Sequence, residues 1–473
     1  MQFNQAELST LVEKVLTRLQ TEGPSGGGAP AVASVTSSLG RGVFRDMDQA
    51  IDAARAAQLR LAQTTLEQRS AMVANIRKRL TERVRELAEL AVSETGLGRV
   101  EDKIKKNLLV LRKTPGPEIL KPTAWTGDDG LTLMERAPYG VIGSITPSTN
   151  PTETILSNGI GMFSGANTIV FNSHPGARKV SLYCIQLIND AIVEAGGPEN
   201  CFTSVVEPTL QSAEALMKHK GLRLLVVTGG PAVVRAAMAS GKKVIAGGPG
   251  NPPVVVDETA DLDAAGKGIV AGASLDNNII CCDEKEVFVV HSVADKLIES
   301  MRRAGAYLAS PYQVKRLEQL VVQGDHPHKD WVGKDARKIL AAIDVQVNDD
   351  PRLIICETDA RHPFVQIEML MPVLPIVRVR NVDEGIALAI EAEHGYGHTA
   401  SMWSKNIDHL HKMARVINTS IFVKNAPHFA GLGLGGEGHT SFTIASPTGE
   451  GLTTALHFTR ERRCTLSGHF RIV

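Results

Sequence analysis

A pair of adjacent cysteines, Cys281 and Cys282, is the first feature of this 473-residue chain that could do chemistry. The pair follows the turn-forming residues Asn277 and Asn278 and precedes the apolar run VFVVH (287–291), which predicts a buried strand. A thiol at the start of such a strand can be a nucleophile where it is partly exposed and its surroundings favour the thiolate. Free cysteine is also among the most buried residue types, so the pair can equally belong to a core. The position alone leaves both interpretations open.

Two further polar side chains stand where a reaction could use them. Asn150 lies between prolines in TPSTNPTET (146–154), directly after the apolar run VIGSI. A rigidly held amide can stabilise a developing oxyanion, and such a donor is worth on the order of 100- to 1000-fold in rate; asparagine is also a common turn residue. Glu368 lies between apolar residues, where a carboxylate can bind a ribose hydroxyl pair or complete a buried ion pair.

A glycine turn offers a place for a phosphate group. The segment VVTGGPAVVRAA (226–237) runs from an apolar strand through Thr228, Gly229 and Gly230 to Pro231, a residue favoured at the first position of a helix. Exposed amides at such a helix start can face a pyrophosphate, although glycine turns of this kind are also common structural elements. The segment 226–237 does not contain the pattern G-x-G-x-x-G, so a standard Rossmann fingerprint is not predicted there.

The elements that must position these residues are apolar runs separated by helical segments. Residues 43–107 have a helical pattern throughout. After residue 131 the apolar runs are VIGSI (141–145), NTIVF (167–171), LLVVT (224–228), KVIAG (243–247) and PVVVD (253–257), and a second series consists of VFVVH (287–291), LIICE (353–357) and VLPIV (373–377). Strands that alternate with helices predict βαβ units in parallel sheets, and the two series predict two α/β domains.

The composition narrows the classes of partner. Lys+Arg and Asp+Glu are equal at 51 each, so no global field attracts nucleic acid or an anionic membrane. The six cysteines show no ligand spacing for zinc, so no metal site is expected and a reducing compartment fits best. The sequence shows neither an apolar run long enough to span a bilayer nor a secretory signal. These features favour a cytoplasmic protein that acts on small molecules.

The first 42 residues have a different character. Apolar residues at helical spacing predict an amphipathic helix over residues 4–20, and the Gly-, Ser- and Pro-rich stretch at 21–42 predicts a flexible linker. A helix on such a tether is marginally stable alone. It can dock on its own domain, but the long linker favours a peptide that docks on another protein.

Eight segments of the chain, taken in order, form a specific pattern. They are SETGLGRVEDKIKKN (93–107), DGLTLMERAPYGVIGSITPSTNP (129–151), GGPGNPPVVVDETADLD (247–263), DNNIIC (276–281), HGYGHTA (394–400), NTSIFVKNAP (418–427), GLGLGGEG (431–438) and SPTGEG (446–451). With these segments, the chain resembles the aldehyde dehydrogenase superfamily from about Val43 to Val473. Within that superfamily it is similar to the CoA-acylating aldehyde dehydrogenases of ethanolamine- and propanediol-utilisation microcompartments.

The resemblance implies two catalytic residues. Cys281, directly after DNNII, would be the nucleophile, and Cys282 would be a neighbour without a catalytic role. Asn150 and the backbone amide of Cys281 would form the oxyanion hole. Hydrolytic members carry a Glu-Leu-Gly-Gly segment whose glutamate activates water, whereas residues 247–250 here are Gly-Gly-Pro-Gly. Without that base, a thioester on Cys281 should wait for a better nucleophile such as the thiolate of CoA.

The resemblance also implies how NAD would be bound. Thr228, Gly229 and Gly230 would lie at the pyrophosphate, Asn172 and His174 near the adenine ribose, and Glu368 at the nicotinamide ribose. The remaining residues expected to contact the cofactors are Thr146, Pro147, Ser148, Gly247, Gly248 and Pro372. Since NAD and CoA both carry an adenosine end, one pocket could serve them in turn.

The fold implied is an aldehyde dehydrogenase-like α/β fold in three parts. A Rossmann-like nucleotide-binding domain would span residues 43–246, with a hairpin near 120–138, and an α/β catalytic domain would span residues 247–440. The segment 441–473 would return to the hairpin and complete a β oligomerisation arm, which implies a homodimer or homotetramer.

The function implied is oxidation of acetaldehyde or propionaldehyde to its acyl-CoA. Residues 4–20 would direct the enzyme to a shell protein and into the lumen of a bacterial microcompartment. Two rivals remain at this point: a hydrolytic enzyme that releases a carboxylic acid, and an inactive assembly protein that docks on a shell.

Overall fold

A computed structural model describes residues 40–473 of the chain. The predicted helix at 4–20 and nearly all of the linker at 21–42 therefore lie outside the described residues. The described part contains two parallel sheets, one larger antiparallel sheet and two short strand pairs, with helices packed against the parallel sheets. This arrangement confirms the predicted α/β class.

The first sheet has six parallel strands whose order creates a crevice. From edge to edge the strands are Val43–Phe44, Phe202–Val205, Thr168–Ser173, Val141–Thr146, Leu224–Thr228 and Lys243–Gly247. From the strand Val141–Thr146 the chain builds one side of the sheet, and it then returns to build the other side from Leu224–Thr228. In open parallel sheets, ligands bind beyond the carboxyl ends of the strands where the order reverses. The crevice predicted by the topology therefore lies between Thr146 and Thr228.

Both faces of this sheet are buried. Ile142 and Val226 belong to one hydrophobic core, whereas Val141 and Val227, on the opposite face of the same strands, belong to another. Near-continuous apolar runs are expected when both faces of a strand are covered. The helices of this half of the chain are Met47–Leu61, Leu66–Glu82, Val84–Thr95, Val100–Lys113, Pro151–Ser164, Arg178–Glu194, Leu210–Lys218 and Pro231–Met238.

The second sheet has seven parallel strands. Its order is Ala306–Leu308, Leu353–Glu357, Val373–Val379, Glu286–Val290, Pro253–Val256, Thr399–Trp403 and Ile421–Lys424. Val254 and Val255 again face separate cores on the two sides of the sheet. The accompanying helices are Leu262–Ala273, His291–Arg303, Pro311–Val321, Ala336–Ala342, Pro363–Gln366, Val382–Ala392 and Ile407–Val416.

An antiparallel sheet joins two distant parts of the chain. The strands Thr123–Gly127 and Gly130–Pro138 form the hairpin predicted near 120–138, and Thr459–Ser467 pairs with its second strand. Short strand pairs lie at Val322–Gln323 with His326–Pro327 and at Ile444–Ala445 with Gly451–Leu452. Single turns of 3-10 helix lie at Pro117–Ile119, Pro175–Ala177, Leu275–Asn278 and His428–Leu432.

The apolar runs predicted as strands all contain strands, and the differences lie at their ends. The predicted helical pattern from Val43 onward is wrong for the first residues, because Val43–Phe44 pairs with Ser204 and Val205 at the sheet edge. His291 begins a helix instead of ending a strand. Within residues 40–473, no helix combines the length and the apolar character that crossing a membrane requires.

Candidate active site

A cavity of about 530 Å³ opens beyond the carboxyl ends of the strands Val141–Thr146 and Leu224–Thr228. The second sheet contributes to its wall through Cys281, which precedes the strand Glu286–Val290. The predicted site residues that line the cavity are Cys281, Asn150, Thr146, Pro147, Ser148, Asn172, His174, Thr228, Gly229, Gly230, Gly248 and Glu368. The structure therefore brings together residues that are scattered over more than two hundred positions of sequence.

Two predicted cofactor residues, Gly247 and Pro372, are not among the residues that line the cavity. Gly247 ends a strand, and its carbonyl accepts a hydrogen bond of 3.2 Å from the backbone N–H of Gly229. The buried Pro372 directly precedes a strand, and its carbonyl accepts a hydrogen bond of 2.9 Å from the N–H of Ile354. Both positions support the sheets next to the cavity.

The segment before the nucleophile is held in an unusual backbone conformation. Asp276, Asn277 and Asn278 have φ angles of 47°, 56° and 65°, in the left-handed region. Consecutive non-glycine residues in this region are strained and persist only where the surroundings fix them. The strain lies three residues before Cys281, so the side chains that hold this segment also position the nucleophile.

Side-chain hydrogen bonds hold each of the three strained residues. The Asp276 carboxylate accepts bonds from the backbone N–H of Arg99 at 2.7 Å and from Lys103 Nζ at 2.9 Å. Asn277 Nδ2 donates to the carbonyl of Gly333 at 2.9 Å. Asn278 Nδ2 donates to two backbone carbonyls, those of Ala273 and Glu284, at 2.8 and 2.9 Å. Asparagine and aspartate suit this task because they tolerate the left-handed region and bond to nearby backbone.

The two cysteines occupy different environments. Cys281 is partly exposed at the cavity, whereas Cys282 is fully buried in the hydrophobic core. Burial in the cavity wall, together with the carboxylate of Glu368, raises the pKa of the Cys281 thiol to about 12. The protein without ligands therefore holds this residue mainly as a thiol at neutral pH, and the reactive thiolate is a minor form.

Asn150 is held by a buried lysine. It directly precedes the helix Pro151–Ser164, and only 6% of its surface is exposed. Lys106 Nζ donates to Asn150 Oδ1 at 2.6 Å. The amide nitrogen makes one longer contact of 3.2 Å with Thr149 Oγ1. The arrangement suits an oxyanion donor, because a rigid amide whose oxygen is held by Lys106 lines a cavity that also contains a thiol.

Glu368 is the only carboxylate among the described residues that line the cavity. Its Oε1 accepts a bond of 3.2 Å from the backbone N–H of Gly250, and burial raises its pKa to about 7. A β-carbon at Gly250 would approach both the Cys281 carbonyl and the ring of His398 to 2.8 Å. Gly250 thus allows close packing next to Cys281, and residues 247–250 contribute no carboxylate to this wall.

The glycine turn has the geometry expected of a dinucleotide site. Thr228, Gly229 and Gly230 lie between a strand and the helix Pro231–Met238, and nothing lies within 4 Å of a β-carbon position at Gly230. The N-terminal amides of a helix attract phosphate groups. Leu210, at the cavity rim, is 82% exposed and offers an apolar surface on which a planar base could pack. These features fit the diphosphate and adenine of NAD or CoA.

The residues expected near the adenine ribose are already partly engaged. Asn172 Oδ1 accepts a hydrogen bond from Ser212 Oγ, and its amide nitrogen donates to the carbonyl of Thr209 at 3.4 Å. His174 Nδ1 accepts a bond of 3.0 Å from the N–H of Gly176, and burial lowers the pKa of its imidazole. Asn172 therefore forms part of the pocket wall. His174 is neutral, and its second ring nitrogen, Nε2, remains to contact a ligand.

Three residues of the site gave no functional signal in the sequence. The ring of His398 is buried beside Cys281, and its Nε2 has no hydrogen-bond partner among the described residues. Lys106 is buried beneath Asn150. Lys329 lies exposed at the cavity rim. His398 and Lys106 belong to the segments HGYGHTA and VEDKIKKN that carry the family resemblance, but that resemblance suggested no role for either residue.

The sequence is similar to a family of known enzymes. The model of the aldehyde dehydrogenase family matches residues 28–312 and 351–456. Among curated proteins, the chain is 50% identical to acetaldehyde dehydrogenase (acetylating) EutE of Salmonella typhimurium, over 100% of both chains. It is 46% identical to propanal dehydrogenase (CoA-propanoylating) of the same organism, over 99% of this chain and 100% of that one.

Among solved structures, two that resemble the chain are propionaldehyde dehydrogenases. One is the crystal structure of Rhodopseudomonas palustris propionaldehyde dehydrogenase with bound CoA and an acylated cysteine, which is 47% identical, with a TM-score of 0.89, over 90% of this chain and 98% of that one. Another is a propionaldehyde dehydrogenase from the Clostridium phytofermentans fucose utilisation bacterial microcompartment. It is 47% identical, with a TM-score of 0.90, over 92% of this chain and all of that one.

Proposed function

Since the chain belongs to the aldehyde dehydrogenase family, we propose that it oxidises a short-chain aldehyde, acetaldehyde or propionaldehyde, to its acyl-CoA with NAD⁺ as the oxidant. One observation supports this function above all: the Cys281 thiol, the Asn150 amide and the glycine turn before the helix Pro231–Met238 line the same cavity. The relatives named above act on the same two aldehydes and form CoA thioesters.

The reaction begins at Cys281. Its thiolate attacks the aldehyde carbon, a C–S bond forms, and the carbonyl electrons move to the oxygen to give a thiohemiacetal oxyanion. The amide N–H of Asn150 stabilises that charge as it develops. Because the thiolate is a minor form in the free protein, the thiol must lose its proton as the ligands assemble.

Oxidation converts the thiohemiacetal to a thioester. NAD⁺, when bound, supplies a hydride acceptor for the former aldehyde carbon. Thr228, Gly229 and Gly230 would hold the diphosphate of the cofactor, and Glu368 would hold its nicotinamide ribose. As the hydride leaves, the oxyanion electrons re-form the C=O bond, and the acyl group remains on Cys281.

Transfer to CoA completes the cycle. The CoA sulfur attacks the thioester carbon, the oxyanion forms again at Asn150, and its collapse expels Cys281 as a thiolate. His398 lies behind the cavity wall, where burial keeps its imidazole neutral and its Nε2 has no hydrogen-bond partner among the described residues, and we propose that it accepts the thiol proton as CoA enters. Its position beside the Cys281 carbonyl supports this role.

Hydrolysis is the less favoured outcome. The segment 247–250 supplies no carboxylate, and Glu368 is engaged by the N–H of Gly250. A thioester in such a site lacks an activated water and persists until a thiol arrives.

The central test follows the acyl group on the enzyme. Enzyme, propionaldehyde and NAD⁺ are mixed without CoA, and the intact protein and its peptides are weighed by mass spectrometry. We expect one propionyl group on Cys281, its loss within seconds of adding CoA, and propionyl-CoA as the product.

Two variants serve as controls. Cys281→Ala should form neither adduct nor NADH while unfolding at the same temperature, whereas Cys464→Ala, which changes an exposed cysteine, should behave as the parent. An adduct that forms on another residue, or carboxylic acid released equally fast without CoA, would contradict the proposal. Activity lost in Cys281→Ala also excludes an inactive assembly protein.

We further propose that residues 4–20 carry the enzyme into a bacterial microcompartment by docking on a shell protein. The amphipathic pattern and the long linker support this role, and one relative comes from such a compartment. A fluorescent protein fused to residues 1–42 should sediment with purified compartments. Replacing Leu11 and Val15 by glutamate should release it, and co-sedimentation of that variant would count against docking.

The antiparallel sheet suggests an oligomer. Trp125 is 48% exposed and Leu466 43% exposed on its strands, so apolar surface is available for a second copy. We propose a homodimer or homotetramer built through this sheet. Light scattering of the purified protein gives the mass, and Trp125→Glu with Leu466→Glu should reduce it to that of one chain.

A further inference from the structure

Two lysines on one face of the helix Val100–Lys113 are buried in the protein interior. Lys103 is 0% exposed and Lys106 1% exposed. A buried ammonium group is costly unless it is paired and hydrogen-bonded. The partners are Asp276, which both lysines contact, and Glu153, whose Oε1 lies 3.2 Å from Lys106 Nζ. A network of charges therefore lies directly behind the catalytic cavity.

Within this network, Lys106 alone touches the oxyanion donor. Its ammonium group donates to Asn150 Oδ1 at 2.6 Å, whereas Lys103 donates to the backbone carbonyl of Thr149 at 3.1 Å. An ammonium group can only donate, so the atom of Asn150 that faces it must be the oxygen. The amide nitrogen is thereby assigned to the opposite side. If the amide were reversed, a carbonyl oxygen would face the forming oxyanion and repel it.

The charge on Lys106 also affects the strength of the donor. Burial alone would lower the pKa of Lys106, but the carboxylates of Asp276 and Glu153 outweigh burial and raise the pKa above its usual value, so the group remains an ammonium ion. A cation on the oxygen of an amide draws electrons from its nitrogen, and hydrogen bonds in a chain strengthen one another in a low-dielectric interior. The N–H that faces the substrate becomes a better donor.

We propose that Lys106 is a positioning residue that orients and polarises the Asn150 amide, and that Asp276 couples this pair to the strained segment before Cys281. The inference rests on the proposed function, in which Asn150 stabilises the oxyanion. It adds that the donor and the nucleophile are fixed by one buried network, because Asp276 contacts Lys106 and begins the segment Asp276–Asn278.

The test is a double-mutant cycle on the acylation step. The rate of NADH formation in a single turnover without CoA is measured for the parent, Lys106→Met, Asn150→Ala and the double variant, with adduct mass spectrometry for slow variants. We expect Lys106→Met to slow acylation about 10- to 100-fold and Asn150→Ala on the order of 100- to 1000-fold. Relative to Asn150→Ala, the double variant should lose no more rate than Lys103→Met loses relative to the parent, within about threefold, since the effect of Lys106 on the amide disappears once the amide is gone.

Lys103→Met is the matched control. This residue lies on the same helix, is equally buried and shares Asp276, but does not touch the side chain of Asn150. It reports the structural cost of losing a buried cation, so its effect on the rate should be the same with and without Asn150. In case Lys106→Met folds poorly, Lys106→Met combined with Glu153→Gln removes one charge of each sign and is carried through the same cycle.

The outcomes separate the two proposals. If Lys106→Met slows acylation by the same factor with and without Asn150, or leaves the rate unchanged, the positioning role is wrong, although the parent still forms the adduct on Cys281. If the parent forms no such adduct, the proposed function itself fails.

Discussion

Replacing Glu368 by glutamine should change how the reactivity of Cys281 depends on pH. The Glu368 carboxylate is the charge that contributes most to the raised pKa of the Cys281 thiol, and its own pKa of about 7 means that its charge appears as the pH rises through neutrality. Glutamine keeps the size of the side chain and an oxygen that can accept from the N–H of Gly250. The variant therefore removes the charge with little change in packing.

The sign and size of the effect follow from coupled titration. Below pH 7 Glu368 is largely protonated, so the parent and the variant should hold similar fractions of thiolate. Above pH 7 the ionised carboxylate opposes ionisation of Cys281 in the parent alone. Two unit charges about 5–10 Å apart, at an effective dielectric constant of about 20, repel each other by about 2–3 kcal/mol, or roughly 1–2 pKa units.

The assay is the rate of alkylation by iodoacetamide between pH 6 and 9, measured peptide by peptide. The exposed Cys464 of the same molecule serves as the internal standard. We expect the rate at Cys281 to rise about tenfold per pH unit throughout in Glu368→Gln, but to flatten just above pH 7 in the parent. The variant should then react at least about tenfold faster at pH 9 and nearly equally at pH 6. A ratio of the two rates that stays constant over the whole range would refute the coupling.

Three further changes probe other parts of the site. Gly250→Ala should lower the free energy of unfolding by about 1–3 kcal/mol and reduce kcat/KM, because the added β-carbon would lie 2.8 Å from the Cys281 carbonyl and from the ring of His398. Gly127→Ala is the control: nothing lies within 4 Å of a β-carbon at Gly127, so neither the unfolding temperature nor the rate should change. His398→Gln should slow propionyl transfer to CoA while the NADH burst without CoA persists, and equal slowing of both steps would contradict a role in the CoA step. Lys329→Gln should raise KM for CoA or NAD⁺ about 1.5- to 5-fold at low salt and leave kcat unchanged. If KM responds neither to the substitution nor to the salt concentration, Lys329 binds no phosphate group.

The sheets and the main catalytic pair were predictable because their signals are local. A strand that is buried on both faces is a continuous apolar run. The runs LLVVT and KVIAG therefore have the same first and last residues as the strands that the structure contains. Thr228 ends one such run and Asn150 lies four residues beyond the strand Val141–Thr146, and parallel strands bring those ends to one edge of a sheet. The motif DNNIIC identified Cys281 by resemblance, and the structure explains the motif, because Asp276, Asn277 and Asn278 supply the left-handed backbone and its hydrogen bonds.

The supporting residues were not predictable, since their partners are distant in sequence. Lys103 and Lys106 resemble solvated charges on an amphipathic helix, and their shared partner Asp276 lies 173 and 170 positions later in the sequence. His398 is one of fourteen histidines, and its place beside Gly250 depends on how the second sheet is assembled. Lys329 lies in the stretch 313–350, between the two stretches that the family model matches.

The pairing of Gly130–Pro138 with Thr459–Ser467 affects the order in which the molecule can be completed during synthesis. More than 300 residues separate the two strands, and Asn167 also bonds to the carbonyl of Phe458 at 3.0 Å. Ser441 and Phe442, which line the catalytic cavity, belong to the same late part of the chain. A nascent polypeptide that has reached residue 430 can form most of both parallel sheets, yet it has an open cavity and an unpaired hairpin edge. The cavity and the hairpin edge can therefore be completed only after the segment up to Ser467 has been synthesised, and shortened products should be inactive and prone to associate through that edge.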